Sequence, residues 1–64
     1  MYAIQFAPDG ENYQGFKAGK IDGLWNYFNF NPDIREQIVF NRFAKFRLIN
    51  LKNNKVIGEL PKNV

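Results

Sequence analysis

The chain has 64 residues, 45% of them hydrophobic and 17% aromatic, and carries a formal net charge of +3. It contains no cysteine, histidine, serine or threonine, which removes disulfides, the usual structural zinc sites, every hydroxyl or thiol nucleophile except tyrosine, and the commonest general base near neutral pH. The hydrophobic content argues against disorder, yet a domain this small buries only about 60% of its extended-chain surface and is marginal alone, so a dense aromatic core or a partner has to stabilise it.

Residues 1–7 alternate, with Tyr2, Ile4 and Phe6 on one side and Ala3 and Gln5 on the other, the period of a half-buried strand. Pro8-Asp9-Gly10 ends that strand with turn chemistry: proline presets one turn position and glycine is free to take positive φ. Residues 11–16 (ENYQGF) are a weak strand candidate anchored by Tyr13. In GFKAGKIDG, glycines recur at 15, 19 and 23 without a GxGxxG pattern and without the Lys-Ser/Thr of a phosphate loop. The segment reads as a mobile or tightly turned connection. A backbone nest for phosphate beside Lys17 and Lys20 is the functional alternative.

Residues 24–30 (LWNYFNF) fit either a strand or a short helix capped by Asp22. A strand places Leu24, Asn26, Phe28 and Phe30 on one face; a helix groups Leu24, Tyr27 and Phe28. Tryptophan and phenylalanine lean toward extended structure, so the strand is preferred. Asn31-Pro32-Asp33 is the best helix start in the chain, with Asn31 as N-cap, Pro32 at the first helical position, and Asp33 and Glu36 toward the positive end of the dipole. Ile34 and Ile38, with Val39 at the margin, give that helix an apolar stripe, and it is expected to stop near Asn41 or Arg42. A helix continuing to Phe46 is its rival.

Residues 43–60 read as two strands joined at a two-residue Asn53-Asn54 turn, since asparagine tolerates the positive φ of a type I′ turn. That register pairs Leu51 with Val56, Asn50 with Ile57 and Ile49 with Gly58. It places Ile49, Leu51, Val56 and Leu60 on a core face, with Leu48, Asn50, Lys52, Lys55, Ile57 and Glu59 opposite. Pro61 cannot donate to a ladder and ends the second strand. The expected core is Ile4, Phe6, Phe16, Phe28, Ile34, Ile38, Phe43, Ile49, Leu51, Val56 and Leu60. Residues 1–64 are read as a single α+β domain, a small antiparallel sheet with one short helix and a C-terminal β-hairpin; a small all-β barrel-like domain is the alternative.

Charge is uneven along the chain. Residues 1–32 carry Lys17 and Lys20 against Asp9, Glu11 and Asp22, whereas Arg42, Lys45, Arg47, Lys52 and Lys55 follow one another with no acid between them. Carboxylate pairs can serve glycoside or two-metal chemistry, but so short a chain leaves little room for a desolvated cleft. The reading is therefore a non-enzyme without cofactor or metal. No apolar stretch approaches a membrane span, and MYAIQF lacks the basic start and long apolar run of a signal peptide. A cytoplasmic location is the default expectation.

Large apolar side chains left on the outward faces, Trp25, Tyr27, Phe40, Leu48 and Ile57, together with Arg47, are the expected contacts to another protein, because aromatics and arginine most often anchor interfaces. The reading is thus a small basic protein-binding module, an inhibitor, adaptor or assembly factor of a larger machine, with a partner of acidic surface. Two alternatives stand beside it. One is nucleic-acid binding through Arg42, Lys45, Arg47, Lys52 and Lys55 with Lys17 and Lys20. The other is self-assembly into a structural homo-oligomer.

Overall fold

Four antiparallel strands and two short helices make up the computed structural model, which describes residues 1–62. In chain order these are β1 (Tyr2–Ala7), β2 (Gln14–Gly19), α1 (Ile21–Phe30), α2 (Pro32–Phe40), β3 (Lys45–Asn50) and β4 (Lys55–Leu60). The sheet order is β2-β1-β3-β4. Two hairpins therefore meet through their first strands, and the helix pair is the connection between them. The fold is α+β, with a second helix beyond the single one expected.

The alternation read in β1 is realised. Ile4 faces Leu48 and Phe6 faces Phe46 across the central pair, so one side of the sheet presents a continuous apolar surface. The helices cover that side. Leu24 and Phe28 of α1 and Ile34 of α2 join Ile4, Phe46 and Leu48 in a buried cluster, with Tyr2, Phe6, Ile21, Tyr27, Ile38 and Leu60 packed partly buried around it.

Residues 24–30 belong to a helix, against the expected strand. Adding Ile21 to Leu24, Tyr27 and Phe28 completes a stripe at i, i+3, i+6 and i+7, and that stripe is what the sheet buries. Weak extended propensity gives way to the burial of Phe28, one of the largest fully enclosed side chains. Asn31 then serves both helices. Its backbone is extended (φ −70, ψ 127), as a residue before proline prefers; its N–H closes α1 on Tyr27 O, and its side chain accepts from Asp33 N at 2.9 Å to open α2. The second helix starts at Pro32 and stops before Asn41 as its capping residues imply.

The glycine-containing connection is largely a strand. Residues 14–19 pair with β1, with a bulge that sets Gln5 against Gly15 and Ile4 against Lys17. Phe16 is the extra residue at this bulge. Its ring packs edge-on to Phe46 at 5.3 Å, with Phe6 and Tyr27 each at 6.3 Å. Phe16 nonetheless remains 42% exposed, because β2 is an edge strand that no helix covers fully.

The C-terminal hairpin forms, but its register differs from the expected one. Asn50 pairs with Lys55 and Ile49 with Val56, so the turn holds four residues, Leu51 to Asn54, and only Asn54 takes positive φ (57°). Local hydrogen bonds fix this longer turn: Lys52 N donates to Asn50 Oδ1 and Lys55 N to Asn53 Oδ1, both at 3.0 Å. Past the bulge at Ile57, Leu48 pairs with Gly58 and Phe46 with Leu60. This moves Leu60 onto the helix-facing side with Leu48 and separates it from Ile49 and Val56. Phe43, Leu51 and Val56, expected in the core, are exposed, whereas Ala3, Ala7, Leu24, Ala44, Phe46 and Leu48 are buried.

Candidate functional site

The apolar side chains that folding leaves outside are concentrated around the helix pair. Phe30 is 69% exposed, Val39 78%, Phe40 80% and Phe43 59%. Among the large apolar side chains of the described residues, only Met1 is exposed to a degree comparable with theirs. Geometry explains why they cannot turn inward. Ile34 and Ile38 take the sheet-facing side of α2, so Val39 and Phe40 fall on the remaining arc. Phe30 is the last residue of α1, and Phe43 lies in the short α2–β3 connection.

Phe30 and Val39 form walls of a groove of about 460 Å³, completed by Asn29, Arg35, Ile38, Leu60, Pro61 and Lys62. The groove thus lies between the α1–α2 corner and the end of β4. Arg35 is tied to its edge by a 2.8 Å hydrogen bond from its guanidinium to Asn29 O, at the carbonyl end of α1. Among the described residues, no carboxylate lines this groove.

Sequence reasoning pointed to Phe40 and Trp25, and both are on the surface, Trp25 at 43% exposure. Ile57 is 40% exposed at the bulge of β4, an edge strand. Tyr27 is half-buried, packed 6.3 Å from Phe16 with Lys17 Nζ 4.5 Å from its ring centroid. Leu48 is a correction. It is fully buried and not on an outward face, because the helices cover the side of β3 that it shares with Phe46. Phe30, Val39 and Phe43 were missed; the first was placed in a strand, the second in the α2 stripe and the third in the core.

Arg47 lies half-buried on the sheet face away from the helices. Its Nε donates to Gln5 Oε1 at 2.7 Å, its guanidinium sits 3.9 Å from the Tyr13 ring centroid, and its cross-strand neighbour is Glu59. Those contacts hold it within the domain. The other cations separate. Lys45 shares the Arg47 face, Lys52 lies in the hairpin turn, and Lys55 pairs with Asn50. Arg42 is over the Phe43 ring at 4.9 Å, and Lys17 is over Tyr27. Lys20 is the N-cap residue of α1. The run of basic residues in sequence is therefore distributed over several faces rather than gathered into a stripe.

Among the described residues no cluster of three or more Asp, Glu, His or Cys is arranged to hold a metal, and no helix is long and apolar enough to cross a membrane. No protein-family model, no curated protein and no solved structure matches the chain.

Proposed function

We propose that this is a non-catalytic protein-binding module that engages a larger protein through the apolar surface around its helix pair, as an inhibitor, adaptor or assembly factor. The observation that carries the reading is the exposure of Phe30, Val39, Phe40 and Phe43 in a molecule with so little core. Side chains of this size, left in water on the helix pair and its connection to β3, gain free energy when another surface covers them. The net positive charge favours a partner with an acidic surface and speeds the encounter.

The test compares Val39→Ser/Phe40→Ser with the parent chain in affinity recovery from the cell of origin. The double variant should keep the parent's melting behaviour, since both side chains are exposed, and lose the proteins that the parent recovers. A variant that folds and recovers the same proteins would remove the reading, as would a parent chain that recovers none. Trp25→Ala and Ile57→Ala, on separate surfaces, locate the contact further.

A further inference from the structure

The groove between the α1–α2 corner and β4 has a lining that selects its occupant. Its walls are apolar, from Phe30, Ile38, Val39, Leu60 and Pro61, and among the described residues its charged lining is of one sign, Arg35 and Lys62. A volume of about 460 Å³ falls within the range of pockets that bury ligands. The Arg35 guanidinium is held at the edge by one hydrogen bond, to Asn29 O, the only one it makes among the described residues, so most of its N–H fork is left for a carboxylate.

Three occupants compete on charge and shape. A second copy of this chain would bring Phe40 or Phe43 as its anchor, and Arg42, stacked on Phe43, would come with it against Arg35 and Lys62. Like charges converging on a partly desolvated site oppose that arrangement. A nucleic-acid strand would satisfy the cations, but its bases stack on aromatic platforms, and four of the five apolar walls here are aliphatic or proline. An acidic peptide satisfies both parts.

Building on the protein-binding reading, we propose that the groove docks an acidic segment of the partner. A bulky apolar side chain enters between Phe30, Val39 and Leu60, and carboxylates on either side of it meet Arg35 and Lys62.

The experiment titrates the full chain with acetyl-Glu-Glu-Trp-Leu-Glu-Glu-amide, with the same peptide carrying lysine for glutamate, and with an oligothymidine, following backbone amide resonances. The acidic peptide should shift Phe30, Arg35, Val39, Leu60 and Lys62, and bind about tenfold more tightly than the lysine peptide at low salt. Arg35→Gln/Lys62→Gln should erase that preference while leaving the remaining resonances in place. Equal binding of the lysine peptide, stronger binding of oligothymidine at these amides, or no shift by the acidic peptide would overturn the proposal. Shifts confined to Trp25, Phe40 and Phe43 would overturn the groove as the site and leave the protein-binding reading standing. That reading falls on its own test, the recovery of partners by the Val39→Ser/Phe40→Ser variant.

Discussion

Asp9 organises the turn between β1 and β2 through its carboxylate. Oδ1 accepts from Asn12 N at 2.8 Å and from Glu11 N at 2.9 Å, and Oδ2 accepts from Asn12 Nδ2 at 2.6 Å. These donors, Asn12 N first, then Glu11 N, then the Asn12 side chain, lower its pKa from 3.8 to about 2. A depressed carboxylate pKa stabilises the fold above the unfolded value and ceases to do so as pH falls through the folded one. Asp9→Asn keeps an oxygen to accept the backbone bonds but loses the charge. The parent should therefore melt above Asp9→Asn at about pH 5, with the gap closing as pH falls toward about 2. Thermal melts across that window check it, and a gap independent of pH would refute the assignment.

Gly58 is a second residue whose role is set by a single contact. A Cβ built there would stand 3.0 Å from the Phe28 ring, and Phe28 is fully buried with no room to swing away. Valine at this strand position gains β-propensity of up to about 1 kcal/mol, while its γ-methyls would meet the ring and overpack the core. Gly58→Val is expected to destabilise the domain by about 2 kcal/mol, read by urea unfolding. Gly10 is constrained differently. Its φ of +79° disfavours any side chain, and a Cβ there would lie 2.6 Å from Phe43 O, a backbone atom that cannot rotate aside.

At the scale of elements, α1 decides how the core is built, and its faces can be separated by mutation. Phe28 is buried against the sheet, whereas Trp25 on the same helix is substantially exposed. Phe28→Ala should cost about 3–5 kcal/mol, enough to unfold a domain of marginal stability. Trp25→Ala, removing a side chain that is partly covered at 43% exposure, should cost less, about 1–2 kcal/mol. Urea melts of the two variants test the amphipathic helix directly; in a strand with Phe28 and Trp25 on opposite, equally covered faces, the two losses would be comparable.

The sequence made some of these elements legible and concealed others for specific reasons. Tyr2, Ile4 and Phe6 alternate without exception, and Asn31-Pro32-Asp33 carries three independent start signals, so β1 and the beginning of α2 could be read directly. The window from Leu24 to Phe30 left α1 ambiguous, because it omitted Ile21, which extends the helical spacing of Leu24, Tyr27 and Phe28 by a turn. Gly15 and Gly19 hid β2, since glycine is poor in strands; here the unpaired edge leaves both open, and a Cβ at either position would meet nothing within 4 Å. The hairpin was legible as a hairpin, but Asn50 and Asn53 closed a longer turn with their own side chains. Two bulges then reassigned faces that a strict period of two would have fixed. The β4 bulge moved Leu60 to the helix-covered face, whereas Leu48 is buried and Val56 exposed because the helices pack on the Phe46–Leu48 side of β3 and not on the Ile49 side. The exposure of Phe40 and Trp25 was legible because a residue outside a helix's apolar stripe is outside in most packings. Phe30 and Val39 needed the end of β4 to bring them together.

For the molecule as a whole, the exposed apolar surface and the net charge make opposing demands on self-association. Phe30, Val39, Phe40 and Phe43 would favour pairing of two copies, while each copy carries +3 and lines its groove with Arg35 and Lys62. Charge repulsion acts over about 10 Å at 0.1 M salt and over only about 3 Å at 1 M, so the balance depends on ionic strength. At low salt the chain should scatter light as a monomer of 7.5 kDa, with a melting temperature independent of concentration. Raising salt toward 1 M should let the mean mass rise with concentration, because screening removes the opposition and leaves the apolar contribution. Glutamate substitutions at Val39 and Phe40 should abolish that rise, whereas Trp25→Ala should leave it unchanged. A stable dimer at low salt would instead mean that the aromatic surface is satisfied by a second copy. It would then be closed to an acidic partner, and the helix-pair surface would serve self-assembly.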